Sequence, residues 1–238
     1  MTRRRWIADE FSDNQAALIG EHADHLIRVL RARKGQEFDI AAGPVIRRGR
    51  ITEIADGRVD FELCDEIPAA ATTNLTLLLS IFKFDRMEWA IEKCTELSVS
   101  RIVPVIAHRT DAHLASAAIK RVERWRKIAL QAAEQSRRAS PPEIADPAKL
   151  KEATNQAASL RLLLAESENQ TSLRDVLGAN NDGNAIALAV GPEGGWTDDE
   201  LHLFQQNGWI SASLGTTILR AETAAIAATA ICISELNR

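Results

Sequence analysis

Five residues near the C-terminal end, Gly191-Pro192-Glu193-Gly194-Gly195, have the make-up of a ligand-binding loop. Three glycines leave the backbone bare and free to take positive φ, while Pro192 withholds an amide donor and stiffens the turn. The loop lacks the Lys-Ser/Thr pair of a phosphate-binding P-loop and the G-x-G-x-x-G spacing of a dinucleotide fingerprint. Glu193 would repel phosphate, so a ligand that carries adenosine or a positive charge fits better than a nucleotide polyphosphate. A glycine-rich strand-to-helix turn is also common as plain architecture, and the loop alone fits either role.

The elements around the loop narrow that choice. Ala185 to Val190 are uniformly apolar, as in a strand buried on both faces of a parallel sheet. Thr197 to Glu200 spell a capping box that opens the next helix and contributes roughly 1 kcal/mol to starting it. Upstream, strands are expected at Leu75–Ile81, Ile102–Ile106 and Leu160–Ala165, and downstream at Ile210–Leu214, ending in Gly215. Between them lie a helix opened by Asp85 with Met87, Ala90, Ile91, Cys94 and Leu97 at helical spacing, a long helix Leu114–Arg138, and a helix near Pro147–Ala157. An Ala-rich helix, Ala221–Leu236, closes the chain. This alternation predicts an α/β fold with a parallel sheet covered by helices, whose ligands bind beyond the carboxyl ends of the strands. Three such ends, Ala165-Glu166-Ser167, Gly191 to Gly195 and Gly215 to Glu222, would together form one site.

From Arg3 to Ile67 the texture differs: short apolar segments broken by Gly43-Pro44 and Asp56-Gly57 predict a small β-barrel. Its one helix is expected at His22–Arg31, with Leu26, Val29 and Leu30 on one face. A Pro-, Ala- and Thr-rich stretch from Ile67 to Asn74 reads as a linker, giving domains at 1–70 and 75–238. The 238 residues carry a net charge of −4, so any nucleic-acid surface must be local. Cys64, Cys94 and Cys232 sit far apart in apolar patterns, as buried reduced thiols do, and neither they nor the five histidines have metal-ligand spacing. The opening MTRRRWIADEF has no apolar core of a secretory signal, and Ala224–Ile233 is about half a membrane span. A soluble cytoplasmic protein with no membrane and no metal is expected.

Five stretches in order, TRRRWI with HLIRVLRARKGQEFDI, RMEWAIEKCTEL, AAEQSRR followed by PPEI, VGPEGGWTDDEL, and LGTTILRAETAAIAA, resemble the bacterial 16S ribosomal RNA uracil-N3 methyltransferases, the RsmE type of the SPOUT superfamily. The resemblance covers nearly the whole chain. It implies a PUA-like β-barrel domain, then a SPOUT-type trefoil-knotted α/β methyltransferase domain, knotted where about Leu188 to Ala224 threads a loop. It implies a homodimer, S-adenosyl-L-methionine as cofactor, and methylation of uracil 1498 at N3 in 16S ribosomal RNA of the small ribosomal subunit. By motif match the cofactor would lie on Leu164, Ala165 and Glu166, on Gly191, Pro192, Glu193, Gly194 and Gly195, and on Leu214, Gly215, Ile218, Leu219, Arg220 and Thr223. Two positions depart from the family pattern: Thr217 stands where relatives commonly carry Arg, and Ser98 where they carry Gly at a helix end. The rival readings are a SPOUT methyltransferase for another RNA position or a non-catalytic ribosome-assembly factor, to which Thr217 lends slight support.

N3 of uracil reacts only after losing its imide proton. Arg220 is therefore expected to stabilise the developing negative charge, and Glu222 to influence proton removal. The structural alternative for Arg220 is pairing with Glu222. RNA is expected to be held through phosphates by Arg3, Arg4, Arg5, Arg28 and Arg31, with Gln135 and Arg138 near the target nucleotide. Lys120, Arg121, Arg124, Arg126 and Lys127 add a basic run whose plain meaning is a solvated helix face.

Overall fold

The computed structural model describes residues 5–43, 45–68, 73–180 and 185–236. Its contacts divide the chain into two units, Met1–Ala71 with Ala133–Pro141, and Thr72–Ala132 with Pro142–Arg238. The expected boundary near residue 70 thus needs one correction, since the stretch holding Gln135 and Arg138 groups with the first unit.

In that first unit six strands, β1 (Arg5–Ile7), β2 (Glu10–Phe11), β3 (Gln15–Ile19), β4 (Glu37–Ala42), β5 (Val45–Ala55) and β6 (Arg58–Ile67), form one sheet in the order β1-β4-β5-β6-β3-β2. β1 pairs with β4 and β2 with β3, so the single stretch 5–11 supplies both edge strands of the sheet. The end strands β1 and β2 are only three and two residues long, and edges that short offer little for other chains to pair with. Alternate residues Leu18, Ile40, Ile51, Val59 and Phe61 point to a common buried core. Helix α1 (Glu21–Asp24) passes directly into a π-helical turn, His25–Val29, closed by the Leu30 amide on the His25 carbonyl. That wider winding turns Val29 away from Leu26, and Val29 is 64% exposed rather than on the buried face expected for it.

The second unit runs β7 (Leu75–Ser80), α2 (Phe84–Glu96), β8 (Arg101–Ile106), α3 (Ala112–Ala118), α4 (Val122–Gln135) except its last three residues, β9 (Glu143–Ile144), β10 (Ala148–Lys149), α5 (Leu150–Ala153), β11 (Leu160–Leu164), α6 (Leu173–Ala179), β12 (Ile186–Val190), α7 (Asp198–Gln206), β13 (Ile210–Ala212) and α8 (Ala221–Leu236). Its sheet, ordered β10-β8-β7-β12-β11-β13 with β9 beside β8, is parallel at every pairing. β12 is buried throughout. Ile186, Leu188 and Val190 join Leu75, Leu77 and Leu79 in one core, whereas Ala187 and Ala189 join Leu78 in another, so one face carries bulk and the other closely packed alanine. Such two-sided burial is why this strand reads as a continuous apolar run.

Two helices differ from expectation. The long helix is interrupted by a 3₁₀ turn at Ile119–Arg121 and ends at Gln135, because Arg137 turns left-handed (φ 61°) and the Arg138 amide reaches back to the Ala133 carbonyl, with Pro141-Pro142 beyond. Arg138 therefore lies past the helix. The helix expected at Pro147–Ala157 shrinks to Leu150–Ala153, since Ala148 and Lys149 pair with Val105 and Ile106 at the sheet edge.

Candidate active site

Three strands, β11, β12 and β13, end side by side, and the loops after them line one cavity of about 760 Å³. The glycine loop forms its floor. Gly195 takes φ +69° and its amide bonds the Pro192 carbonyl at 2.9 Å. A Cβ on Gly191 would stand 3.1 Å from Trp196 Nε1, and one on Gly194 would stand 3.2 Å from Arg109 Cδ. Both contacts are tighter than most Cβ contacts, so a side chain at either position would have to push Trp196 or Arg109 aside by a few tenths of an ångström.

Those neighbours fix the loop. Trp196 Nε1 donates to the Leu164 carbonyl at 3.0 Å, tying the loop to the end of β11. Arg109 donates to the Gly194 carbonyl and, at 3.4 Å, to that of Trp196. The expected capping box is formed: Thr197 Oγ1 accepts from the Glu200 amide, and Glu200 Oε2 accepts from the Thr197 amide at 2.9 Å. Its other oxygen, Oε1, accepts from the His108 amide at 2.7 Å. One buried carboxylate therefore anchors both the start of α7 and the loop after β8.

The opposite wall is looser. From Leu214 to Arg220 the chain has no regular structure; Gly215 to Ile218 are exposed, Ile218 at 81%. Ser213 Oγ and Gly215 exchange two 3.1 Å hydrogen bonds at its start, and at its end the Arg220 carbonyl accepts from the Ala224 amide of α8.

Leu164, Ala165, Glu166, Gly191 to Gly195, Leu214, Gly215, Ile218, Leu219 and Arg220 all line the cavity. Thr223 does not; it lies exposed on α8. Glu222 lies behind the wall, buried, with Oε1 2.5 Å from Arg86 Nη1. Arg86 itself lines the cavity, so the partner of Glu222 is Arg86 rather than Arg220. Sequence reasoning assigns no role to Arg86 or Arg109. Both follow the carboxyl end of a parallel strand, β7 and β8, which is the available signal for them.

Of the residues expected on RNA, Arg3 and Arg4 lie outside the described residues. Arg5 is half-buried and donates to the Arg137 carbonyl; burial lowers its pKa against the raising charge of Asp39. Burial pushes Arg138 down to about 10. Arg28, Arg31 and Gln135 are exposed. Among the basic run, Arg121 and Arg124 pair with Glu88, and Arg126 with Glu123 and Asp146.

The family model for the RNA methyltransferase domain matches residues 69–233. A Mesomycoplasma hyopneumoniae protein named ribosomal RNA small subunit methyltransferase E is 34% identical over 68% of this chain and 70% of its own length. The chain belongs to this methyltransferase family. The Synechocystis member is also 34% identical, over 84% of this chain, which spans 66% of that longer protein. The Neisseria gonorrhoeae member, solved bound to S-adenosyl methionine, superposes with a TM-score of 0.83 at 31% identity and 96% coverage of both chains. Among the described residues no cluster of His, Cys, Asp or Glu could hold a metal ion, and no helix is long and apolar enough to cross a membrane.

Proposed function

We propose that the chain is an S-adenosylmethionine-dependent methyltransferase that methylates N3 of uracil 1498 in 16S ribosomal RNA of the small ribosomal subunit, working in the cytoplasm as a homodimer. The observation that carries the reading is the cavity where three parallel strands end, floored by glycines at two of which a Cβ would stand only 3.1–3.2 Å from a neighbour. A bent adenosine cofactor fits such a bare wall, and the SAM-bound Neisseria relative supports that occupant. In this reading the first unit is the PUA-like barrel, the second the trefoil-knotted SPOUT domain, and exposed Arg28, Arg31 and Gln135 approach RNA.

When bound, the cofactor supplies a methyl group on a cationic sulfur. Once N3 had given its imide proton to solvent water, its lone pair would take that methyl group, and the C–S electron pair would stay with the departing sulfur. The chain's own contribution is to hold both partners in line, which alone can supply several kcal/mol of the barrier. Glu166, Glu193 and Asp198 line the cavity, where they offset the sulfonium charge or hold a ribose hydroxyl. Arg220 faces the same cavity and stabilises the uracil anion. Glu222, tied to Arg86, acts on the site only through that guanidinium.

Mass spectrometry of ribosomal RNA from a strain lacking the protein, before and after incubation with protein and S-adenosylmethionine, tests the assignment. The expected result is one N3-methyluridine missing from small-subunit RNA and restored by add-back. Restoration of a different modification would move the target, and no restoration would leave an assembly role.

A further inference from the structure

Arg86 and Glu222 hold an arrangement that packing alone does not require. Glu222 stands in the first turn of α8, its side chain only 5% exposed, and Arg86 in the first turn of α2 reaches it at 2.5 Å. The other carboxylate oxygen, Oε2, is buried without a hydrogen-bond partner among the described residues. Removing a carboxylate from water is costly, and a pair with one partner buried often stabilises a fold no more than apolar residues of the same size, which points to another reason for its position. The guanidinium supplies one. A single nitrogen, Nη1, is engaged by Glu222, and among the described residues the Arg86 guanidinium makes no other hydrogen bond or ion pair. It nonetheless lines the cavity, so the rest of its planar fork is unspent where the ligands bind.

We propose that Arg86, beside Arg220, is a second residue of this cavity that receives a planar anion, with Glu222 as the buried anchor that fixes its plane. This rests on the methyltransferase reading. Two sources offer that chemistry there: the deprotonated imide of the uracil, and the methionine carboxylate of the cofactor. A carboxylate presents two oxygens that two parallel N–H donors of a guanidinium can bridge, whereas the imide anion accepts at its carbonyl oxygen and keeps the N3 lone pair free to react.

The test compares the wild type, Arg86→Met and the double variant Arg86→Met/Glu222→Met. Removing Arg86 alone strands a buried carboxylate and should lower Tm, while removing both should return Tm close to that of the wild type. Calorimetry then compares S-adenosylmethionine with 5′-methylthioadenosine, which lacks the carboxylate. If the cofactor carboxylate is the anion, both variants bind S-adenosylmethionine at least tenfold more weakly and methylthioadenosine equally well. If the uracil is the anion, both affinities hold while single-turnover transfer falls on the order of a hundredfold at saturating RNA. A double variant that regains Tm and also binds and transfers like the wild type overturns the proposal, because the pair is then only structural. Should the double variant not fold, folded Arg86→Gln with full binding and transfer overturns it equally. A wild type that transfers no methyl group would instead sink the methyltransferase reading.

Discussion

Spent arginines hold different things in the two units. In the first, Arg47 spends its guanidinium on the backbone: Nε on the Cys64 carbonyl at 2.8 Å, Nη2 on that of Leu63 at 3.3 Å, and Nη1 on that of Asp13. Arg48 and Arg50 face Glu37, and Arg58 bridges Glu10 and Asp60. In the second, Arg109 also serves the backbone, but the backbone it holds is the glycine floor of the cavity, and Arg86 leaves most of its donors open to that cavity. A basic residue thus says little by its type. What decides its role is whether its donors are already taken, and by what.

The largest effect expected from this contrast is at Gly194. Valine there would drive a side chain into Arg109 Cδ, 3.2 Å from the position of its Cβ, and displace the clamp together with the floor. Because the loop stands at the surface of a sheet whose cores it does not enter, Gly194→Val should stay folded and lose S-adenosylmethionine affinity by more than a hundredfold, or about 3 kcal/mol. Calorimetry checks it; an unchanged Kd would mean that the floor is not where the cofactor lies.

The next effect separates spent from unspent arginines within the first unit. Arg28 is 70% exposed and faces Asp24 across a 3.5 Å surface pair, and Arg31 is exposed as well. Replacing both by Ala should weaken RNA binding and make its salt dependence shallower by roughly one unit for each phosphate no longer neutralised, with Tm nearly unchanged. Arg47→Ala should do the reverse. It leaves three carbonyls short of a donor and should cost roughly 1–2 kcal/mol of stability while the salt slope holds. Titrations over a salt series beside thermal melts read both. If Arg47→Ala flattens the slope as much as the double variant does, the division into spent and unspent groups fails.

Much of the second unit is legible in the sequence because its physics is local. A continuous apolar run reads as a doubly covered strand, and Thr197 with Glu200 reads as a helix start; both are present in the structure. Even the odd helix end at Ser98 fits. Its φ of 74° and the 6→1 bond from Val99 to Cys94 make it a left-handed cap where glycine would cost about 1 kcal/mol less. Helix α6 goes unread, although Ser172 and Asp175 spell the same capping box as Thr197 and Glu200. Partnerships over long sequence distances are not legible. Nothing in a periodicity links Arg86 to Glu222 or Arg109 to Gly194, because those pairings exist only once strands far apart in the chain are neighbours. The π turn at His25–Val29 is hidden for a related reason, since its apolar spacing matches an ordinary helix.

The smallest effect concerns a basic group of the first unit whose ion pairs last only while it is protonated. His22 Nδ1 stands 3.1 Å from both oxygens of Asp9, and Nε2 stands 3.6 Å from Glu134. The hydrogen bond with Asp9 raises the pKa of His22; burial opposes it, and the charges of Glu134, Asp9 and Glu21 add to the rise. Burial would push Asp9 up, yet its bonds with His22 and the Ile19 amide hold it below the usual carboxylate range. A histidine raised in the folded state contributes its full stability below the unfolded value, about 6.5, and loses it as pH rises through the higher folded value. Asp9, lowered when folded, keeps its own contribution until the solution is strongly acidic. Burial raises Glu134, whose ionisation then costs stability with or without the imidazole. Comparing wild type with His22→Gln should therefore show a stability gap of roughly 0.5–1 kcal/mol near pH 5.5 that shrinks towards pH 9. Melts at both pH values measure it. A gap that is constant across the range would mean that the imidazole contributes by packing against Trp6, whose ring lies 6.1 Å away, and that its charge is not engaged at all.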